Sequence, residues 1–132
     1  MTGEIEELYS DRSGSIHSVR ADPDEMRPPH GAFLIVLEEG RAVGCGGLKR
    51  FDEETCEIKR MYLAPDARGG GLSRRLLEAL ERRASELGYS RVRLDTGDRQ
   101  PAARHLYESS GYVEIPRYNQ NTRATLWYEK AL

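Results

Sequence analysis

Apolar residues along the chain fall into two rhythms. From Ala32 to Leu37 they run almost without interruption, and after the polar tetrapeptide Glu38-Glu39-Gly40-Arg41 a second run extends from Ala42 to Leu48. Short apolar runs flanking a turn-rich segment predict a hairpin of buried strands. Gly44, Gly46 and Gly47 weaken the second strand, which predicts a bulge or a close approach of something to its backbone. Phe51 to Thr55 then turns the chain into a third strand over Glu57 to Leu63, ended by Ala64-Pro65-Asp66, where proline removes a ladder donor. Beyond this point the period changes. Leu72, Leu76, Leu77, Leu80, Ala84 and Leu87 recur at steps of three and four and predict an amphipathic helix, with Gly88 placed to stop it.

Arg91 to Thr96 alternates and reads as a half-buried strand, which a right-handed crossover would set parallel to the Glu57 strand. Asp98, Arg99 and Gln100 are capping candidates for a second helix that opens at Pro101, runs through Tyr107 to Ser110 and ends at Gly111. Tyr112 to Ile115 and Ala124 to Tyr128 are closing strands, joined by a polar loop around Tyr118-Asn119-Gln120-Asn121 that is expected to border a substrate pocket. Near the N-terminus, Glu4 to Tyr9 reads as a short helix, and the polar sequence through Pro28-Pro29 reads as irregular. The elements predict an α/β chain with a mixed, twisted central sheet flanked by helices.

Composition narrows the class. The 132 residues suit one domain, 1–132, whose first thirty residues form a variable segment. No apolar run reaches eighteen residues and no leader pattern is visible, so the expectation is a cytoplasmic protein without a membrane partner. Cys45 and Cys56 lack further Cys or His partners at ligand spacing and read as small buried thiols, with no metal site. A formal net charge of −2 argues against a chain built globally to hold nucleic acid. Arg68, Arg74, Arg75, Arg82, Arg83, Arg91 and Arg93 do crowd one region and keep an arginine-rich nucleic-acid module as a rival, but Asp66, Glu78, Glu81 and Glu86 are interleaved with them.

The chemistry centres on Arg68-Gly69-Gly70-Gly71-Leu72-Ser73, three consecutive glycines between a strand and a helix. Exposed backbone N–H groups and the positive end of the helix dipole converge there, which suits a phosphate. The Walker pattern is absent, because no Gly-Lys-Ser/Thr follows, and so is the Gly-x-Gly-x-x-Gly dinucleotide pattern. The Arg/Gln-x-x-Gly-x-Gly/Ala signature is met by Arg68, Gly71 and Ser73, with serine as a small departure. Together with the strand and helix order from Ala32 to Leu132 and the segment Gln100-Pro101-Ala102-Ala103-Arg104-His105-Leu106-Tyr107-Glu108, this resembles the GCN5-related N-acetyltransferase (GNAT) family.

The resemblance implies the acyl-CoA N-acyltransferase fold with a shortened N-terminal region, because family members open with a strand and two helices for which this chain has limited room. It implies transfer of an acetyl group from acetyl-CoA, as cosubstrate, to an amine by direct attack on the thioester. The acceptor is a small-molecule or protein amine, and a homodimer is compatible with the chain. A non-catalytic CoA-binding or interaction protein on the same fold is the alternative. Met61, Tyr62 and Leu63 are expected beside the pantetheine arm, and Arg68, Gly69, Gly70, Gly71, Leu72, Ser73 and Arg74 around the pyrophosphate. Glu57, eleven residues before Arg68, stands where one branch of the family carries its general base, and its plain alternative is a surface carboxylate paired with Lys59 or Arg60. Tyr107 stands where the family protonates the departing thiolate, and its plain alternative is core packing beside Leu106 and Ala103. His105 is expected on an exposed helix face, and Trp127 and Tyr128 in the core or a pocket wall.

Overall fold

A computed structural model of the protein describes residues 6–11, 14–19, 26–97 and 101–132. Eight strands form a single sheet in the order β1-β2-β3-β4-β5-β6-β8-β7. They are β1 (Glu6–Asp11), β2 (Gly14–Val19), β3 (Ala32–Glu38), β4 (Arg41–Arg50), β5 (Thr55–Leu63), β6 (Arg91–Thr96), β7 (Val113–Ile115) and β8 (Leu126–Ala131). Helix α1 (Leu72–Glu86) crosses from β5 to β6 and α2 (Pro101–Ser109) from β6 to β7. All pairs are antiparallel except β5 with β6. The predicted crossover and parallel pair are therefore present.

The short helix expected over Glu4 to Tyr9 is a correction. Glu6 to Asp11 is strand, paired in antiparallel register with β2, while Glu4 and Ile5 lie outside the described residues. The spacing of Ile5, Leu8 and Tyr9 fits a helix locally, but the open edge of β2 offers this segment a ladder, and tertiary pairing overrides so short a local pattern. The capping candidates Asp98, Arg99 and Gln100 also lie outside the described residues. Among the described residues no helix is long and apolar enough to cross a membrane.

Alternation divides the sheet into two faces. Leu34, Val36, Leu48, Cys56, Val92, Leu94 and Tyr128 are buried in a core shared with Leu76, Leu77 and Leu80 of α1. Both helices pack on this face: Arg74 of α1 donates to Ser109 and Ser110 at the end of α2, and the Tyr107 ring of α2 lies 5.9 Å from those of Tyr112 and Tyr128. The glycines of β4 let neighbours approach. A Cβ on Gly46 would sit 2.9 Å from Leu80 of α1, and one on Gly47 would meet Met26 and Phe33 on the opposite side. The β3–β4 hairpin closes through Glu39 and Gly40, both at positive φ (52° and 78°), as a tight two-residue hairpin turn requires.

Candidate active site

The decisive feature of the sheet is a parting between its parallel strands. β5 and β6 pair only at Thr55 with Arg91, Cys56 with Val92 and Glu57 with Arg93. Past Glu57, β5 stays with β4 as far as Leu63, and β6 stays with β8 as far as Thr96, so the two strands diverge while keeping their outer partners. A bulge accompanies the parting. Cys45 faces Tyr62 and Gly47 faces Lys59, so Arg60 and Met61 together stand opposite Gly46. Arg60 takes a positive φ of 58°, and the Cys45 thiol donates to its carbonyl at 3.2 Å. A non-glycine residue held there costs about 1–3 kcal/mol, and bulges of this kind re-aim the residues beside them. Met61 is accordingly turned into the gap.

Two cavities meet at the parting. The larger, about 680 Å³, is lined by Met61, Tyr62, Leu63, Arg68, Gly69 and Ser73 on one side and by Pro101 to Ala103, Leu106 and Tyr107 of α2 on the other. The smaller, about 290 Å³, is lined by Lys59, Arg60, Asp95, Thr96, Asn121 and Arg123 among others. Met61 and Tyr107 border both. The Tyr107 hydroxyl is directed at the Met61 sulfur, 4.0 Å away, and the residue is 8% exposed.

The glycine loop fits a phosphate-bearing ligand. Gly69 and Gly71 have φ of 90° and 81°, and a Cβ added at Gly69, Gly70 or Gly71 would meet no atom within 4 Å, so open space lies before this backbone. Gly71 is the N-cap of α1 and gives no side-chain cap, and the first turn holds no acidic residue. The donors at that helix end thus keep their capacity for an anion. Arg68 folds back, its Nε donating to the Leu63 carbonyl at 2.9 Å and its guanidinium lying 5.7 Å from the Tyr62 ring centre. Leu72 is buried in the core and contributes backbone to the loop rather than side chain. The Arg74 guanidinium is occupied by the two serines of α2, at 2.9 and 2.7 Å.

Glu57 is not a surface carboxylate. It is 3% exposed, and neither cavity is lined by it. Its Oε2 accepts from the Tyr118 hydroxyl at 2.7 Å and the Asn119 amide at 3.1 Å, and lies 3.2 Å from the Lys59 ammonium. Lys59 also bonds Asp95 at 3.1 Å. Asp95 in turn accepts from Asn119 at 2.6 Å and from Asn121 at 3.0 Å, and the Trp127 indole donates to Asn119 at 2.9 Å. The polar loop 116–125 is thereby bolted to β5, β6 and β8 just beside the parting. Arg60, the other partner considered for Glu57, makes no such pair among the described residues.

Environment sets the charge states. Burial raises the Tyr107 hydroxyl to about 12, with the Asp95 charge adding to it. For Lys59 burial works downward, but the charges and hydrogen bonds of Glu57 and Asp95 outweigh it and the ammonium ends above its ordinary value. Burial and the bond to Glu57 push Tyr118 far up. Cys56 is buried and raised by that burial to about 12, and Cys45 is half-buried; both are free thiols. Among the described residues no group of three or more His, Cys, Asp or Glu could hold a metal ion.

Sequence reasoning singled out Met61, Tyr62, Leu63, Arg68, Gly69, Ser73 and Tyr107, which the structure brings around one cavity, and Gly70, Gly71, Leu72 and Arg74, which do not line it. It gave no role to Asp95 or Arg123, and it placed the loop around Asn119 and Asn121 at a pocket border without its bonds to Glu57 and Asp95. The run Asn119-Gln120-Asn121 between two strands was the available signal, since side-chain amides concentrated in one connection suit a buried polar network.

The acetyltransferase (GNAT) family pattern matches residues 3–112. The chain belongs to that family. An IAA acetyltransferase of Azospirillum brasilense is 37% identical over 94 residues, covering 70% of this chain and 61% of that relative. The chain spans about 60% of the length of the curated relatives it matches. A crystal structure of an acetyltransferase from Streptococcus agalactiae superposes with a TM-score of 0.71 at 31% identity, over 77% of this chain and 67% of that one. A GNAT acetyltransferase from Elizabethkingia anophelis, solved with acetyl-CoA bound, gives 0.73 at 20% identity over 92% of this chain and all of that one, a likeness of fold. The architecture is the acyl-CoA N-acyltransferase fold.

Proposed function

We propose that the protein transfers an acetyl group from acetyl-CoA to an amine. The observation that carries the reading is the parted pair β5 and β6, with a glycine-bordered cavity and a second, polar cavity meeting at Met61 and Tyr107. A donor with its diphosphate at the backbone of Gly69 to Arg74 and its arm along Met61 to Leu63 would present a thioester at that junction. The acetyl-CoA complex of the Elizabethkingia protein supports the choice of donor, and the IAA acetyltransferase relative supports acetyl as the group transferred.

In the reaction the amine nitrogen attacks the thioester carbon, the C–N bond forms, the C–S bond breaks, the amine gives up one proton and the sulfur receives one. Backbone N–H groups at the Arg60 bulge stand where the carbonyl oxygen gains charge, a role that fixed donors fill at little reorganisation cost. Tyr107 is the acid. With its hydroxyl near 12 it is protonated at neutral pH. Against an ordinary thiol near 8.5, proton transfer would be uphill by about 5 kcal/mol. Desolvation of a thiolate held in this cavity would raise its proton affinity and narrow that gap. Glu57 is the proposed proton acceptor, reached through water rather than by direct contact with the amine.

The test is thiol release from acetyl-CoA with a panel of amines, alongside calorimetric titration of CoA. Binding with amine-dependent thiol release supports an enzyme. Tight CoA binding without release for any amine would reduce the protein to a CoA-binding subunit, and absence of binding would overturn the reading altogether.

A further inference from the structure

The smaller cavity holds an imbalance of charge that acetyl transfer as such does not require. Of the three described cationic residues that line it, Lys59 is matched, by Glu57 and Asp95. Arg60 and Arg123 are exposed, line the cavity, and meet no carboxylate among the described residues. Among the described residues the one carboxylate in the wall, Asp95, already accepts from Lys59, Asn119 and Asn121. Among the described residues the cavity is thus lined by two exposed arginines with no carboxylate partner, and an arginine fork matches a carboxylate by two parallel hydrogen bonds.

Two further observations narrow the ligand. A volume of about 290 Å³ lies at the bottom of the range for small-molecule pockets and admits a molecule of amino-acid size. Each arginine is also held by local structure. Arg60 sits at the bulge, immediately before Met61, and Arg123 follows an Asn121 whose side-chain oxygen accepts from the Arg123 N–H at 3.0 Å. Arg60 adjoins Met61 at the junction and Arg123 lines the same small cavity, so a group recognised by them shares that cavity with the attacking nitrogen.

We infer that the acceptor is a small amine that also carries a carboxylate, with Arg60 and Arg123 binding the carboxylate while the amine faces Met61 and Tyr107. This rests on the acetyl-transfer reading. The same positive rim disfavours polyamines and lysine-rich peptides, because a second cation on the acceptor would be repelled there.

The test compares kcat/KM for each L-amino acid with that for its carboxamide, and with putrescine, at saturating acetyl-CoA. At least one amino acid is expected to exceed its amide by roughly 10-fold or more, the scale of a charge-assisted pair. Arg123→Ala should collapse that ratio toward one, mainly through KM, while CoA affinity by calorimetry stays at the wild-type value because Arg123 does not line the donor cavity; Arg60→Ala should collapse the ratio as well. Arg123→Glu should turn the preference toward putrescine. Equal or better turnover of amides or putrescine by the wild type would overturn the inference and leave acetyl transfer standing, as would CoA binding with no amino acid accepted. Failure of acetyl-CoA to bind would instead remove the underlying reading.

Discussion

At the scale of single residues, the glycine loop and Tyr107 give separable tests. Gly71 sits at φ 81°, so valine there is strained whatever the ligand does. Gly70 is the cleaner probe, because its φ lies outside the left-handed region and an added methyl would meet nothing within 4 Å. Gly70→Ala should leave thermal stability within about 0.5 kcal/mol of wild type. It should still weaken CoA binding roughly 10-fold by crowding the space before the loop backbone, on the scale of one charge-assisted hydrogen bond. An unchanged calorimetric Kd would remove the phosphate from this loop. Tyr107→Phe keeps the ring contacts with Tyr112 and Tyr128 and deletes the hydroxyl. Turnover should fall about 100-fold with the fold intact. Since the hydroxyl titrates near 12, the wild-type rate should show no alkaline limb from this group between pH 8 and 10. A wild-type rate from Tyr107→Phe would leave the residue as packing alone.

At the scale of elements, the readable parts of the chain were those whose signal is local. Leucines at steps of three and four fixed α1 to within two residues, because burial against the sheet needs a continuous apolar stripe. The glycine run located the loop because backbone conformation is written in residue type. The parting of β5 from β6 has no such signature. It depends on each strand keeping its outer neighbour, and nothing in Ile58 to Leu63 or Leu94 to Thr96 announces that the ladder stops. The loop network was hidden for the same reason, since Tyr118 and Asn119 reach Glu57 across 61 and 62 residues of sequence. Nor did the pattern distinguish β1 from a helix, because its partner strand supplies what its own residues leave undecided. Asn119 is the hub of that network, bonded to Glu57, Asp95 and Trp127. Asn119→Ala should raise KM for the acceptor more than it lowers kcat, since the loop borders the acceptor cavity and the donor cavity lies elsewhere. Equal changes in both constants would argue that the loop is part of the chemistry.

At the scale of the whole molecule, both helices occupy one face of the sheet, and the other face at the parting is held by a buried charge network centred on Glu57, Lys59 and Asp95. Lys59 is raised above its ordinary value in the folded state, so its stabilising contribution is complete below about pH 10.4, the unfolded lysine value, and is lost as pH climbs through the folded one. Urea midpoints should therefore fall above about pH 10.5 in the wild type, and the fall should be shallower in Lys59→Met, the raised tyrosines Tyr107 and Tyr118 accounting for what remains. Glu57→Gln tests the centre of the network. The substitution removes one of two carboxylates from a buried ammonium and turns an amide toward the donors Tyr118 and Asn119. Because Asp95 still pairs with Lys59, the cost should be about 2–3 kcal/mol, below that of a buried ion pair fully broken. A loss of stability is expected whether Glu57 is a base or an anchor, so the rate profile has to separate them. A lost base is replaced by free amine as pH rises, and the roughly 100-fold deficit at neutral pH should then shrink by pH 9. A lost anchor leaves the loop displaced at every pH, and the deficit stays constant. Recovery with pH in a folded Glu57→Gln protein would establish proton acceptance through the network, and a flat deficit would assign Glu57 to holding the loop against the parted strands.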